Sequence, residues 1–214
     1  MASTKRKATS ERQLEIVQAA REILVSEGFH KLTLRSVANK VGIKLASLQY
    51  HFSNRAALIQ ALIGQASHYY QSRMSELLEP DSGVEPRQKL EQAVRSMLDD
   101  HKSQEENQFF FQMMAMTIEE SAAQELIDDF YQRLWTMGSD LLLELNPSLD
   151  EDERLNRSAH LVSLVEGCGF FISSPRLCGK LPDSYYDHII NWVNKLVFEY
   201  EDVKYGKSSG QYRN

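Results

Sequence analysis

The sequence predicts an all-α protein in which a three-helix helix-turn-helix domain precedes a larger, six-helix domain. Three observations lead to this fold class. Apolar residues recur at helical spacing along most of the 214 residues, few Gly and Pro residues interrupt them, and two short amphipathic helices flank a glycine turn within residues 33–55.

The first predicted helix ends at Gly28 and is followed by Phe29. Its apolar stripe consists of Ile16, Ala20, Ile23 and Leu24. Two short helices cannot bury their apolar faces alone, so this helix is expected to complete a three-helix core.

The two short helices follow known cap and turn rules. Thr33 is a predicted N-cap and Gly42 a predicted left-handed C-cap of the first helix. The second helix is expected to begin near Lys44 or Leu45. Side chains predicted to face the core are Leu34, Val37, Ala38, Val41, Ile43, Leu48 and Phe52.

The outward side of these helices carries hydroxyl, amide and basic groups, which suit phosphate oxygens and base edges. The charge distribution agrees, since residues 1–60 hold ten Lys or Arg and four Glu, a net +6, whereas residues 61–214 carry −12. Phosphate attraction is local, so an acidic chain can bind DNA through one basic domain. The sequence therefore predicts a DNA-binding domain at residues 11–55.

Residues 1–10 include the run Lys5-Arg6-Lys7 and are predicted to form a flexible basic arm that contacts DNA or, equally well, a solvated tail. Residues 56–203 are predicted to form an all-helical effector-binding and dimerisation domain. The polar residues 204–214 are expected to be disordered.

With these motifs in view, the first 62 or so residues closely resemble the TetR family of dimeric, ligand-responsive transcription regulators. The motifs are Ala19-Ala20, Gly28-Phe29, Thr33, Val37-Ala38, Gly42-Ile43, Ser47-Leu48, His51-Phe52 and Arg55 followed by Leu58. Beyond them the resemblance is architectural. Lys44, Ala46 and Gln49 depart from the usual family pattern, so the family's sequence preference is not carried over.

The resemblance implies a set of residues at or near the DNA. Lys44 through Tyr50 are expected to read bases, while Arg35, His51 and Arg55 are expected to contact phosphates. The full predicted set is Thr33, Arg35, Lys44, Leu45, Ala46, Ser47, Gln49, Tyr50, His51 and Arg55.

Six further helices are predicted after this domain, each bounded by Pro, Gly, Asn or a capping residue. Their approximate ranges are 56–79, 87–102, 105–118, 122–145, 151–173 and 184–203. The last two are expected to form a four-helix bundle with a second copy of the chain, although the same stripes could instead form an internal core. The predicted interface residues are Leu161, Leu164, Cys168, Phe171, Ile189, Val193, Leu196 and Val197.

The central helices are rich in Met and aromatic side chains, which line adaptable ligand cavities but also fill ordinary cores. Both interpretations stay open for any single residue. The predicted effector-binding residues are His101, Phe109, Phe110, Gln112, Met113, Met116, Phe130, Trp135 and Glu166. A carboxylate at Glu166 could pair with a cationic ligand or form an ion pair at a dimer interface.

Other classes of protein are disfavoured. No nucleotide-binding loop, zinc-protease motif or nucleophile elbow is present, the six His residues lack metal-ligand spacing, and Cys168 and Cys178 fit free thiols. We expect no enzyme activity, cofactor or metal site. The polar N-terminus and lack of a long apolar run indicate a cytoplasmic protein without a membrane span.

The sequence thus predicts a dimeric regulator, most simply a repressor, that leaves a palindromic DNA operator when it binds a small, largely apolar or aromatic effector. A different class of function stays open at this point. The chain could be a helical small-molecule carrier or sensor whose N-terminal domain binds protein instead of DNA.

Overall fold

The computed structural model describes residues 2–79, 82–174 and 176–198, with side chains described from Ser10 onward. These residues form nine α-helices and no β-strand. The helices are α1 (Ala2–Glu27), α2 (Leu34–Val41), α3 (Leu45–His51), α4 (Arg55–Leu77), α5 (Pro86–Asp100), α6 (Gln104–Glu119), α7 (Ser121–Leu145), α8 (Glu151–Ile172) and α9 (Tyr185–Phe198). The predicted all-α fold with an N-terminal helix-turn-helix is confirmed.

One predicted boundary differs from the structure. Residues 2–10, expected to form a flexible arm, continue α1 as a helix. The segment of predicted helix beyond residue 198 and the predicted disordered tail lie outside the described residues.

Local signals fix the ends of α2. The Thr33 hydroxyl accepts a hydrogen bond from the Ser36 amide, and the Ser36 hydroxyl accepts one from the Thr33 amide, each at 3.0 Å. Such a reciprocal cap satisfies donors that have no partner within the helix. Gly42 ends α2 with φ +76°, a conformation that costs other residues more than glycine. Both predicted caps are confirmed.

The head, which we define as residues 10–62, has a tightly closed apolar core. Ile16, Ile23, Leu24, Val37 and Leu48 are all at most 1% exposed. This core continues into α6 and the start of α7 through Phe109, Met113, Met116, Ala123 and Ile127. The head is therefore docked on the larger helical domain by shared packing.

A second apolar core lies at the far end of the molecule, where α5, α7, α8 and α9 meet. It contains Leu161, Ile189, Val193 and Val197, which had been predicted to face a second subunit. These four residues are buried because the most apolar stripe of each helix packs inward within the same chain, and their place in a dimer interface stays a prediction.

The outward faces of α8 and α9 carry a different set of apolar side chains. Leu155, Phe170, Phe171 and Trp192 are between 41% and 60% exposed. Of the predicted interface residues, only Phe171 belongs to this set, while Leu164, Cys168 and Leu196 are half-buried. No helix in the described part of the chain combines the length and apolar character needed to cross a membrane.

Candidate DNA-binding face and ligand cavity

The exposed face of α3 presents a compact set of polar and aromatic groups. Leu48 points into the head core, which leaves Ala46, Ser47, Gln49 and Tyr50 exposed. Tyr50 is 78% exposed, although a tyrosine ring would gain from burial. A large amphipathic side chain held outward on a short helix is suited to contact with another molecule.

Basic groups flank this face. Arg35 on α2 and Lys44 at the start of α3 are exposed, and neither forms an ion pair with any described residue. Lys40, by contrast, pairs with Glu22 at 3.0 Å. Arg35 and Lys44 thus keep their positive charge available to an anionic partner.

Three other predicted residues are more engaged within the head. Leu45 is half-buried, and the Thr33 hydroxyl is committed to the cap of α2. The half-buried His51 ring lies edge-on to Tyr50, with centroids 5.3 Å apart, and its Nδ1 has no hydrogen-bond partner. Contacts from these residues to DNA remain predictions.

Arg55 departs from the prediction that it contacts phosphates. Its Nε donates to the carbonyl oxygen of Leu32 at 2.8 Å, and its guanidinium lies 4.2 Å from the centre of the Phe29 ring. The same guanidinium pairs with Glu120, the residue that separates α6 from α7. Arg55 therefore joins the head to the larger domain.

A cavity of about 870 Å³, including the solvent at its mouth, lies between α4, α5, α6 and α7, with one residue from α8. Its walls are mostly apolar and aromatic. The lining residues are Ala66, Ser67, Tyr70, Gln71, Met74, Met97, Asp100, His101, Glu106, Asn107, Phe110, Met113, Met114, Ile127, Phe130, Leu134, Met137 and Glu166.

The cavity includes five of the predicted effector-binding residues, namely His101, Phe110, Met113, Phe130 and Glu166. Four others do not line it, because a helix turns neighbouring residues to different sides. Phe109 and Met116 lie in the core beneath the head, Gln112 faces the head, and Trp135 packs beside Tyr131. Sequence reasoning missed Tyr70, Asp100, Glu106 and Asn107, whose polar character resembles that of ordinary surface residues.

Polar contacts organise one end of the cavity. Asn107 Nδ2 donates to the carbonyl oxygens of His101 and Ser103, which directs Asn107 Oδ1 to His101 Nδ1 at 2.9 Å. His101 Nδ1 must then carry the proton, and Nε2 faces Glu166 Oε2 at 3.7 Å. Gly169 makes room for this ring, since a Cβ there would lie 2.3 Å from His101 Cε1.

Glu166 is held in a poorly solvated position. Tyr131 donates weakly to its Oε1 at 3.4 Å, while Oε2 is buried without a hydrogen bond. Burial raises the pKa of Glu166 above its ordinary value of 4.5, and the charge of His101 and the Tyr131 hydrogen bond oppose that rise. Burial, together with nearby Glu166, also raises the pKa of Tyr131.

Helix α6 contacts the head on one side and the cavity on the other. On the head side, Arg21 pairs with Glu106 at 2.6 Å, and the Phe29 amide donates to Gln112 at 3.0 Å. Glu106 also accepts a hydrogen bond from the cavity residue Tyr70 at 2.9 Å. One helix thus carries polar links to both regions.

The head is the part of the chain that is similar to a known protein family. Residues 16–62 match the family model described as bacterial regulatory proteins, tetR family. The chain is 28% identical over 111 residues to the transcriptional regulator SrpR of Pseudomonas putida, which is 52% of this chain and 49% of SrpR. It is 36% identical over 64 residues to UidR of Escherichia coli, 30% of this chain and 33% of UidR. Residues 16–62 are thus similar to the N-terminal segment of TetR-family regulators.

The chain spans about half the length of SrpR and a third of UidR. The fold similarity extends further. A transcriptional regulator from Rhodococcus superposes with a TM-score of 0.71 at 18% identity, over 87% of this chain and 96% of the other. A regulator from Saccharomonospora viridis, solved in complex with choline, gives 0.68 at 19% identity over 88% and 96%.

The helix-turn-helix of α2 and α3 lies within the residues that match the family model. Among the described residues, no group of three His, Cys, Asp or Glu side chains is placed to hold a metal ion. Cys168 and Cys178 are free thiols.

Proposed function

We propose that this chain is a cytoplasmic, homodimeric repressor of the TetR family that leaves a palindromic operator when a small ligand enters the cavity. The position of α6 is the main observation that supports this proposal. Helix α6 has one face in the cavity and the other on the head, so a ligand that displaces α6 must also disturb how the head is held.

DNA recognition is assigned to α3. Each subunit places α3 in a major groove, where Lys44, Gln49 and Tyr50 reach base edges and Arg35 contacts a phosphate. A twofold protein matches two half-sites about one helical turn apart. Arg55 is excluded from this set because its guanidinium is engaged by Glu120, Leu32 and Phe29.

The second subunit is proposed to pack on the outward faces of α8 and α9. Leu155, Phe170, Phe171 and Trp192 are exposed apolar side chains on these two helices, and exposed apolar groups commonly mark interfaces between subunits. Light scattering of the wild type and of Phe170→Glu/Trp192→Glu should give a dimer and a monomer, respectively. A monomeric wild type would reject the dimer.

Effector release follows from the links across α6. Ligand binding between α4 and α6 is proposed to shift Glu106 and Glu120, which hold Arg21 and Arg55 of the head. A coupling of roughly 1–3 kcal/mol would lower operator affinity by about 5- to 150-fold. Glu106, which lines the cavity, and Glu120, which follows α6, each pair with a base of the head, and these pairs support the route.

The experiment that tests DNA recognition is selection of bound fragments from randomised duplex DNA at two salt concentrations. We expect enrichment of one palindromic site. Lys44→Ala and Tyr50→Ala should change the enriched sequence, whereas Arg35→Ala should weaken binding to all sequences and lower the salt dependence. Lys102→Ala, a surface change paired with Asp99 far along the chain from α3, serves as the control.

A selection with no enriched site would contradict the proposal. So would an unchanged site preference in both Lys44→Ala and Tyr50→Ala. Repression itself is tested by placing the enriched site over a promoter driving a reporter gene, where co-expression of the chain should lower reporter output.

A further inference from the structure

The charged groups that line the cavity are of one sign, with a single imidazole beside them. Asp100, Glu106 and Glu166 are its ionisable acids, and no Lys or Arg is among the lining residues. The rest of the wall is mainly Met, Phe and aliphatic side chains. An anionic ligand would meet these carboxylates without a cation to balance its charge, so the lining disfavours it.

Two of the three acids already have strong partners. Asp100 pairs with Arg73 at 2.6 Å, and Glu106 pairs with Arg21 at 2.6 Å while accepting a hydrogen bond from Tyr70. Their negative charge is balanced by guanidinium groups that reach in from outside the lining. Neither acid is left to attract a further charge.

Glu166 is different. Its Oε2 is buried and makes no hydrogen bond, its Oε1 has one long contact to Tyr131, and its charge partner is the His101 imidazole at 3.7 Å. That imidazole balances Glu166 only when protonated on Nε2, because Nδ1 is committed to Asn107. A buried carboxylate with so weak a partner gains much from a better one.

The surroundings of Glu166 suit an organic cation with an apolar body. Phe110 lies edge-on to His101, with ring centroids 6.3 Å apart, and Tyr70, Phe130 and the Met residues extend the wall away from the carboxylate. Aromatic faces attract cations, and Met side chains adapt to varied shapes.

We propose that the cavity binds lipophilic organic cations, with the cationic centre of the ligand against Glu166 at the His101 end. This assignment names the ligand class of the effector cavity and so rests on the proposed function. The sequence left open a cationic ligand at Glu166 beside a purely apolar or aromatic effector, and the cavity favours the cation. The ligand takes the place of the His101 imidazole as the partner of Glu166.

The test measures ligand binding to the full chain without DNA, so that its result is independent of operator recognition. Isothermal titration calorimetry compares tetraphenylphosphonium with tetraphenylborate, which share a shape and carry opposite charges. We expect the cation to bind more tightly by at least about tenfold. Equal binding, tighter binding of the anion, or binding of neither probe would overturn the proposal.

Three variants test whether the carboxylate of Glu166 causes the preference for the cation. Glu166→Gln keeps the shape and should remove most of the preference for the cation, whereas Glu125→Gln, an exposed acid on α7, should leave it intact. His101→Asn keeps a donor to Asn107 while removing the imidazole that competes for Glu166, so it should tighten cation binding. Opposite effects at two neighbouring residues separate a charge effect from general damage to the cavity, and circular dichroism checks that each variant is folded.

Retained cation preference in Glu166→Gln would overturn the assignment of Glu166. A failed operator selection with intact, Glu166-dependent cation binding would instead reject the regulator and leave the ligand site standing.

Discussion

The head and the cavity differ in how their interiors are filled. The head core consists of aliphatic side chains with almost no exposure, such as Ile16, Ile23 and Leu24. The larger domain keeps an open space at its centre, lined by Met, aromatic and acidic side chains. Close packing gives the head a rigid surface, while incomplete packing leaves the larger domain with open space and room for movement. In the proposed function, the rigid surface reads DNA and the open space holds the ligand.

The largest expected effect tests this difference directly. Leu24→Ala in the head core should destabilise the protein by about 2–5 kcal/mol, because it leaves a cavity among fully buried neighbours. Met114→Ala, on the half-buried cavity wall, should lower stability by less, since the space beside it is already open. Urea unfolding of both variants measures the two losses, and equal losses would show that the interiors are packed alike.

The next largest expected effect is a loss of stability at Gly169, where α8 approaches the His101 ring closely. Gly169→Ala would place a Cβ within 2.5 Å of three ring atoms, so we expect a loss of about 1–3 kcal/mol and a displaced imidazole. Gly167→Ala on the same helix meets no atom within 4 Å and should raise stability by up to about 1 kcal/mol through helix propensity. Thermal unfolding distinguishes the two, and a similar loss in both would contradict the close contact.

The link between the two regions is tested at Arg55 and Glu120. Glu120→Gln should leave ligand affinity unchanged while reducing the ligand's effect on operator affinity, by about 0.5–2 kcal/mol of coupling. The measurement is operator binding with and without tetraphenylphosphonium. Glu119→Gln, one residue earlier at the end of α6, is the matched control. If the ligand lowered operator affinity in Glu120→Gln as much as in the wild type, the Arg55–Glu120 contact would not contribute to the coupling between cavity and head.

The smallest effect concerns stability and pH at Glu166. Burial raises the pKa of Glu166 in the folded state above the ordinary 4.5. The protonated carboxyl therefore contributes its full stabilisation of the folded state below pH 4.5, and this stabilisation is lost as the pH rises through the raised pKa. Glu166→Gln should therefore raise the unfolding temperature slightly at pH 7.5 and have no such effect near pH 4. His101 and Asp100 of α5 and Tyr131 of α7 are the neighbouring ionisable groups. A lower unfolding temperature at pH 7.5 would contradict the sign.

The head could be predicted in detail because its signals are local. Thr33 and Gly42 act on residues within one helical turn, and the stripe of α1 has a single apolar side. The cavity was predicted only in part. Helix α6 is apolar around most of its surface, so spacing alone does not tell which side of Phe109 and Phe110 meets the cavity.

The other differences between the sequence interpretation and the structure come from contacts between residues that are far apart in the chain. Arg55 carries a basic side chain next to a DNA-reading helix, yet its partner Glu120 is 65 residues away and was not visible as a partner in the sequence. For α8 and α9, the strongest apolar stripes were assigned to a second subunit. Those stripes instead close the core of one chain, which leaves Phe170 and Trp192 outside.

The two-sided arrangement of α6 has a consequence for how such a protein can change over evolutionary time or in the laboratory. Asn107, Phe110 and Met114 face the cavity, while Phe109, Gln112 and Met116 are turned toward the head. Variation confined to the first group can alter the range of ligands while the head keeps its contacts with Phe109, Gln112 and Met116. A library of cavity-facing positions should therefore yield regulators that respond to new molecules at the same operator.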